Sequence, residues 1–314
     1  MIGLVTSLGG IDLAALYGPV FAEVAPELDL RRPEEIERPE DVQFVFTFRP
    51  PDDVFAGLTG LRAIFSAGAG TDAIMACPSR PEGVPVFRVE DADQALQMAG
   101  YAAFHVHWHH RNMARYVGQQ RRGEWARVVE GLSPGHKRVG VLGFGHMGRA
   151  IARGLIALGY PVAGYSRRPP EPPEPGVRHY HGDGLDGFLA ETDILVNVLP
   201  LTPQTTGLIG TGFLMKLPDG AALVHMGRGG QVDEAALISA LDRGHLSGAS
   251  LDVFETEPLP SDHPVWRHPK ILITPHVASI PEPAFVVRAI RDRLRDIASD
   301  DKSSAALGKM NDAG

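Results

Sequence analysis

A glycine-rich turn in the middle of the chain constrains its fold more than any other stretch. Gly143, Gly145 and Gly148 follow a short apolar run at 139–142 in the pattern G-x-G-x-x-G. Apolar residues then recur at helical spacing, and a second apolar run follows at 161–165. This order predicts a strand–turn–helix–strand unit.

In such a unit glycine is needed at each of the three positions for a different physical reason. Gly143 permits the tight turn, Gly145 lets the backbone approach a pyrophosphate, and Gly148 lets the helix pack closely on the strand. The pyrophosphate would lie at the free N–H groups of the helix N-terminus. A glycine-rich turn without a ligand is the alternative, because Gly supplies 36 of the 314 residues. The flanking strands and helix favour a dinucleotide site.

The end of the second strand indicates which dinucleotide binds. An NAD site usually has Asp or Glu there to hold the ribose hydroxyls. Here the chain reads Ser166, Arg167 and Arg168, with no carboxylate before Glu171. Since a guanidinium can bind a 2′-phosphate through two hydrogen bonds, we predict NADPH (NADP) rather than NADH. The alternative is that the two arginines only begin an exposed, proline-rich loop.

Composition narrows the class of protein. A length of 314 residues fits two domains, and 30 Lys and Arg against 38 Asp and Glu argue against nucleic acid as a routine partner. The single cysteine, Cys77, fits a reducing compartment and is interpreted as a small buried side chain rather than a catalytic one. The N-terminus lacks a basic signal-peptide region, and no apolar run reaches membrane-spanning length. We therefore predict a cytoplasmic protein with no membrane association.

Short strands and helices alternate along most of the chain. We predict a small α/β domain in front of the nucleotide unit, with strands at 2–6, 42–48, 61–66 and 84–89 and a helix at 13–24. Behind the glycine turn we predict a polar, flexible stretch at 176–187, strands at 194–199, 221–226, 250–254 and 271–274, a helix at 234–243, and an amphipathic helix at 283–297 before a disordered tail. This alternation predicts a doubly wound parallel sheet.

A long helix without internal proline is predicted at 92–121, and it carries four histidines. They are His105, His107, His109 and His110. His105 and His109 stand four apart, so they share a face and could hold a metal. No carboxylate or cysteine at suitable spacing accompanies them, which favours a domain-bridging or subunit-interface face.

Three charged residues fall just after predicted strands of the nucleotide unit, where ligands bind in open α/β sheets. They are Arg228, Glu257 and His276. A histidine titrates in the range needed to transfer a proton, and a carboxylate bonded to its far nitrogen would raise its pKa and orient it. Arginine offers a planar fork to a substrate carboxylate. The set fits the reduction of a 2-oxo acid by hydride and proton transfer.

Several motifs together resemble the D-2-hydroxyacid dehydrogenases, and most closely the glyoxylate/hydroxypyruvate reductase A branch. The resemblance covers nearly the whole chain. The matching motifs are Gly143 to Gly148, Leu199-Pro200-Leu201-Thr202-Pro203-Gln204-Thr205, Gly227-Arg228-Gly229, Leu251-Asp252-Val253-Phe254 with Glu257-Pro258-Leu259, and Thr274-Pro275-His276-Val277-Ala278.

The resemblance implies a role for each matching residue. Arg228 would bind and polarise the substrate, His276 would be the general acid/base, and Glu257 its partner. Asp252 would hold the nicotinamide carboxamide, and the turn Gly68-Ala69-Gly70 would offer N–H groups to the substrate carboxylate. The predicted cofactor contacts are Gly143, Phe144, Gly145, His146, Met147, Gly148, Ser166, Arg167, Arg168, Leu199, Pro200, Thr205, Met226, Gly227 and Asp252. The predicted substrate contacts are Phe48, Ala69, Gly70, Met98, Arg228 and His276.

The resemblance also implies the domain organisation. A flavodoxin-like substrate domain would comprise residues 1–101 and the returning segment 281–314, and the Rossmann nucleotide domain would comprise 102–280. The catalytic cleft would lie between them and close on substrate. The family is typically a homodimer built through the nucleotide domain, which would give the histidine-rich helix a use.

We therefore predict NADPH-dependent reduction of a small 2-oxo acid, glyoxylate or hydroxypyruvate, to the D-hydroxy acid where the product is chiral. Within the same class, bulkier 2-oxo acids such as phenylpyruvate are the alternative, because Phe48 and Met98 could line a roomier apolar pocket. A dinucleotide-sensing binding protein of the corepressor type is the alternative from another class. Such proteins use partner-binding tails, and the short C-terminal tail here gives that reading little support.

Overall fold

The computed structural model describes residues 1–8, 10–88, 92–127, 129, 131 and 133–311. Within these residues the chain forms twelve strands and nine α-helices. The strands are β1 Ile2–Thr6, β2 Asp29–Arg31, β3 Val42–Thr47, β4 Ala63–Ser66, β5 Val86–Arg88, β6 Val139–Leu142, β7 Val162–Ser166, β8 Val177–His181, β9 Ile194–Asn197, β10 Ala221–His225, β11 Leu246–Leu251 and β12 Ile271–Ile273. The helices are α1 Leu13–Val24, α2 Asp72–Met75, α3 Ala92–His110, α4 Met113–Arg122, α5 His146–Ala157, α6 Leu185–Ala190, α7 Thr211–Leu214, α8 Glu234–Asp242 and α9 Pro283–Asn311.

The chain divides into two compact units. The first comprises Met1–Asp91 and Pro281–Gly314, and the second comprises Ala92–Ile280. The first boundary lies before α3, whereas the sequence predicted it after Tyr101. The reason is that Met98, Ala102 and Val106 of α3 are buried in the core of the second unit. The return to the first unit falls at residue 281 in both.

The first unit is built on a five-stranded parallel sheet with the order β2-β1-β3-β4-β5. This is the flavodoxin-like order, as predicted. Strand β3 is buried on both faces because helices and loops cover the two sides of a parallel sheet. On one face Phe44, Phe46 and Phe65 pack against α1 and against Val286 and Ile290 of α9.

The second unit is built on a seven-stranded parallel sheet with the order β12-β11-β10-β9-β6-β7-β8. This confirms the predicted doubly wound Rossmann fold. Its central strands β6, β9 and β10 are fully buried, which explains why their sequences are continuous apolar runs. The strand order reverses between β6 and β9, and ligands bind in the crevice at such a switch point.

Several elements differ from the sequence predictions. The stretch 176–187, predicted to be flexible, contains the edge strand β8, whose polar residues face solvent at the sheet margin. The predicted helix at 92–121 breaks at Asn112, which adopts a left-handed conformation (φ 48°) between α3 and α4. Strand β11 ends at Leu251, earlier than predicted, because the chain turns into the loop that carries Glu257.

Two other elements, one strand and one helix, end at residues other than those predicted. Strand β5 ends at Arg88, and Val89, the last residue of the predicted strand, lies outside the described residues. Helix α9 continues to Asn311, through most of the tail that the sequence predicted to be disordered, since no proline interrupts it. In the described part of the chain no helix is long and apolar enough to cross a membrane. Cys77 is buried, as interpreted from the sequence.

Candidate active site

The glycine turn has the geometry that its three glycines predicted. Gly143 has a φ of 102°, and a Cβ there would lie 2.9 Å from the backbone nitrogen of Leu199. A Cβ at Gly148 would overlap the carbonyl oxygen of Gly143, so the start of α5 packs directly on the turn. A Cβ at Gly145 would meet nothing within 4 Å. The turn is therefore closed on the protein side and open where a pyrophosphate would bind.

The N-terminus of α5 opens at this turn. The helix begins at His146 with Gly145 as its N-cap, and a glycine has no side chain to cap the first N–H groups. Uncapped N–H groups and the helix dipole favour an anion there. Strand β7, the neighbour of β6, ends at Ser166, and Arg167 and Arg168 follow it exposed to solvent.

The other predicted cofactor residues lie in different environments. Phe144 and Met226 are buried in the apolar core, so only their backbone is available to a cofactor. Met147 packs against the same core, and His146 is exposed. Behind β9, the hydroxyl of Thr205 donates to the carbonyl oxygen of Pro200 (2.7 Å) and shapes the Leu199–Pro200 turn.

His276 and Glu257 form a hydrogen-bonded pair. His276 Nδ1 lies 2.8 Å from Glu257 Oε2, and the other carboxylate oxygen of Glu257 accepts from the backbone N–H of Phe254 (2.9 Å). Both side chains are mostly buried, with the histidine the more exposed of the two. The hydrogen bond to Glu257 thus uses Nδ1 of the imidazole and does not involve the other ring nitrogen, Nε2.

Arg228 lies beside the loop that carries Glu257. The next residue, Gly229, packs so closely on the backbone of Phe254 and Glu255 that a Cβ would overlap it. His225, which ends β10, is subject to the charges of both Arg228 and Glu257. The structure thus brings together Arg228, Glu257 and His276, the three groups that the sequence placed after separate strands.

Asp252 holds the turn on which His276 lies. Its Oδ1 accepts from the hydroxyl of Thr274 (2.6 Å) and the N–H of Val277 (2.9 Å), and its Oδ2 accepts from the N–H of Ala278 (3.0 Å). Asp252 is 1% exposed. The carboxylate therefore positions the histidine turn; its implied contact with the nicotinamide carboxamide stays a prediction.

Sequence reasoning missed two residues that support Asp252. The hydroxyl of Thr274 donates to Asp252, so the hydroxyl of Tyr101, 2.6 Å away, donates to Thr274. Thr274 opens the motif that contains His276, so its closeness to His276 in the sequence could have identified it. Tyr101 lies far away in the sequence on α3, and no local pattern connects it with the site.

The predicted substrate residues divide between the two units. In the first unit, Phe48 packs beside Gly68, and Ser66 shapes the following turn by donating to the carbonyl oxygen of Gly70 (2.7 Å). Phe48, Ala69 and Gly70 thus belong to one local cluster. In the second unit Met98 is only 9% exposed within the core, which leaves its side chain little surface for a substrate.

Three of the four histidines of α3 make side-chain hydrogen bonds within the second unit. His109 Nε2 lies 2.8 Å from the hydroxyl of Ser250, and His107 and His110 each lie 2.9 Å from the hydroxyl of Tyr160. Among the described residues, no group of three or more His, Cys, Asp or Glu side chains could hold a metal ion. The interpretation of this helix face as domain-bridging or as a subunit interface stays a prediction.

Comparison with known proteins establishes the family. The model of the D-isomer specific 2-hydroxyacid dehydrogenase NAD binding domain matches residues 104–278. A protein of Salmonella paratyphi B named glyoxylate/hydroxypyruvate reductase A is 39% identical over 277 residues, which is 86% of each chain. The chain belongs to the D-isomer specific 2-hydroxyacid dehydrogenase family. This dehydrogenase carries the Arg228, Glu257 and His276 set within the residues that the family model matches.

Solved structures of the family share the fold of this dehydrogenase. A D-isomer specific 2-hydroxyacid dehydrogenase from Xanthobacter autotrophicus Py2, solved in complex with NADPH and MES, is 38% identical, with a TM-score of 0.85 and 95% of each chain covered. An NADPH-dependent glyoxylate/hydroxypyruvate reductase from Sinorhizobium meliloti, solved with NADP and sulfate, is 30% identical, with a TM-score of 0.85 over 96% of this chain and 95% of its own.

Proposed function

We propose that this dehydrogenase reduces glyoxylate or hydroxypyruvate with NADPH, giving the D-isomer where the product is chiral. The observation that carries the proposal is the His276–Glu257 pair beside Arg228 at the carboxyl edge of the nucleotide sheet. The relative from Salmonella paratyphi B bears the name of this activity. The two structural relatives described above were solved with NADPH or NADP.

The residues at the glycine turn fit the cofactor. The open space at Gly145 and the uncapped start of α5 would hold the pyrophosphate. Arg167 and Arg168, which follow β7, would hold the 2′-phosphate, because their guanidinium groups donate hydrogen bonds to it. The hydroxyl of Ser166 donates to the carbonyl oxygen of Arg168 (2.6 Å) and would shape this turn. When bound, NADPH supplies the hydride for the reduction.

The residues of the chain supply the proton and hold the substrate. Arg228 binds the carboxylate of the 2-oxo acid and polarises its carbonyl. His276, with Nδ1 engaged by Glu257, gives the proton on Nε2 to the carbonyl oxygen as it becomes a hydroxyl. The hydrogen bond between Glu257 and Nδ1 keeps the ring oriented.

The direct test is the initial rate of cofactor oxidation with glyoxylate and with hydroxypyruvate, each with NADPH and with NADH. We expect turnover with both acids and a clear preference for NADPH. Activity with NADH alone would contradict the role of the two arginines and leave the acid/base pair in place. A preference for phenylpyruvate would favour the bulkier-substrate alternative, to which the buried Met98 gives no support.

We also propose a homodimer formed through the nucleotide unit. Large apolar side chains are exposed on its α3 side and in the segment after α4: Phe104 is 57%, Trp125 90% and Val129 80% exposed. Exposed aromatic residues of this size are typical of subunit interfaces. Light scattering should give twice the 33.8 kDa chain mass, and Trp125→Ala with Val129→Ser should shift the protein toward the monomer. A monomeric wild-type protein would contradict the proposal.

A further inference from the structure

A closed network of buried polar side chains surrounds the backbone of Arg228. Its members are Asn197 at the end of β9, His225 at the end of β10, and Gln231 in the turn behind Arg228. Each of the three is at most 1% exposed. A buried polar group costs stability unless it is hydrogen-bonded, so such a cluster is expected to be fully paired.

The hydrogen bonds fix the tautomer of His225. Its Nε2 lies 3.1 Å from the carbonyl oxygen of Arg228, which can only accept, so Nε2 carries the proton. Its Nδ1 therefore accepts from the side-chain N–H of Asn197, 3.0 Å away. Burial lowers the pKa of His225 to about 4, so the ring stays neutral and the arrangement holds through the neutral range.

Gln231 completes the network from the other side. Its Oε1 accepts from the N–H of Arg228 (3.0 Å) and from the second side-chain N–H of Asn197 (2.9 Å). Its Nε2 donates to the carbonyl oxygens of Leu199 (3.0 Å) and Pro200 (2.9 Å). The network therefore binds the Arg228 turn to the Leu199–Pro200 turn.

Side chains hold both backbone polar groups of Arg228: Gln231 accepts from the N–H, and His225 donates to the C=O, which also accepts from the backbone N–H of Gln231 (3.0 Å). The residue before it adds a steric constraint, because a Cβ at Gly227 would overlap Oε1 of Gln231. A long side chain that must meet a substrate in one place benefits when its backbone cannot shift.

We propose that His225 is a positioning residue, which with Asn197 and Gln231 sets the backbone of Arg228 where its guanidinium binds the 2-oxo acid. The inference rests on the proposed function, since that function gives Arg228 its role. In this role His225 contacts neither substrate nor cofactor and acts through the backbone of Arg228.

The test compares two substitutions at the same position. His225→Phe keeps a ring of similar size. It removes the side-chain hydrogen bond to the Arg228 carbonyl, which still accepts from the N–H of Gln231, and it leaves an Asn197 N–H unpaired. We expect it to lower kcat/KM for glyoxylate by about ten- to a hundredfold, because the Arg228 backbone loses its side-chain anchor and the unpaired N–H of Asn197 disturbs the network that holds it. His225→Gln restores an acceptor and a donor, and it should keep kcat/KM within about threefold of wild type.

A double-mutant cycle separates positioning from general damage. In an Arg228→Ala background, His225→Phe should change kcat/KM by less than about twofold, because the side chain that it positions is gone. The dissociation constant for NADPH, from fluorescence titration, should stay within about twofold of wild type in His225→Phe. If His225→Phe does not fold, His225→Asn takes its place, since its shorter amide can keep the Asn197 partner but not reach the Arg228 carbonyl.

Two results would overturn the inference. One is an unchanged kcat/KM in His225→Phe while Arg228→Ala is severely impaired. The other is the same loss from His225→Phe with and without Arg228, which would indicate general damage. Failure of the proposed function gives a different result, because the wild-type protein itself would then oxidise no NADPH with any 2-oxo acid.

Discussion

His276 adopts a left-handed backbone conformation, with φ of 56°, although it is not glycine. Such a conformation costs about 1–3 kcal/mol and persists only where the surroundings enforce it. Here the N–H of His276 donates to the carbonyl oxygen of Asp252 (2.8 Å), and the carboxylate of Asp252 binds the two N–H groups that follow. The turn thus holds the imidazole against Glu257 with little freedom.

Substitution of His276 tests its role as the acid/base group. His276→Gln keeps polarity but removes the transferable proton, so kcat should fall by about a hundredfold or more. NADPH binding, followed by fluorescence titration, should stay close to wild type. His136→Gln, an exposed histidine of the same unit, is the matched control and should leave kcat unchanged. Near-normal turnover of His276→Gln would remove this residue from the mechanism.

The two arginines after β7 give a second prediction for single side chains. Arg167→Ala with Arg168→Ala should raise KM for NADPH by about tenfold or more and KM for NADH much less, because only NADPH carries the 2′-phosphate. Arg243→Ala, also exposed in the second unit, should alter neither KM. Equal losses for both cofactors would mean that these arginines do not bind that phosphate.

At the scale of elements, the sequence predicted the buried central strands and missed two polar edge strands. Strands β6, β9 and β10 were predictable because both their faces are covered and their residues are apolar. Strands β2 and β8 were missed because edge strands carry polar residues and resemble loops. The break between α3 and α4 was missed because Asn112 in a left-handed conformation leaves no mark on helical periodicity.

The site residues also differ in how far the sequence could predict them. Arg228, Glu257 and His276 were predictable because each follows a strand that the sequence identified. The contacts of Tyr101 with Thr274, and of Gln231 with the Leu199–Pro200 turn, depend on packing between distant segments. Local pattern carries no information about such pairs.

The turn between β6 and α5 makes a prediction that separates fold from ligand binding. At Gly148 a Cβ would overlap backbone, so Gly148→Ala should cost about 1–3 kcal/mol of unfolding free energy. At Gly145 a Cβ meets open space, so Gly145→Ala should keep the wild-type Tm and weaken NADPH about tenfold or more by obstructing the pyrophosphate. Thermal unfolding and NADPH titration of both variants check this. Equal effects of the two on Tm would contradict it.

At the scale of the whole molecule, buried histidines set the response to acid. Burial lowers the pKa of His105, His109 and His225 to about 4 each, and the charge of His105 contributes at His109. In the unfolded chain their pKa is about 6.5. Between these values the unfolded state binds more protons, so the free energy of unfolding falls as the pH falls from about 6.5 toward 4.

We therefore expect urea unfolding to show marked loss of stability between pH 7 and pH 5. Each of these histidines contributes a slope of at most about 1.4 kcal/mol per pH unit. His109→Gln keeps a partner for Ser250 without titrating, so it should flatten the slope, whereas the exposed His136→Gln should not. The same unfolding free energy at pH 7 and pH 5 would contradict the expectation.

The strand order of the nucleotide unit has a consequence for redesign. The residues proposed to choose the cofactor follow β6 and β7, on one side of the switch point, and the residues proposed for the chemistry follow β10, β11 and β12 on the other. The two halves of the sheet meet where Leu142 of β6 pairs with Asn197 of β9. We therefore expect that substitutions at Ser166, Arg167 and Arg168 can change the coenzyme preference without altering the residues proposed for proton transfer.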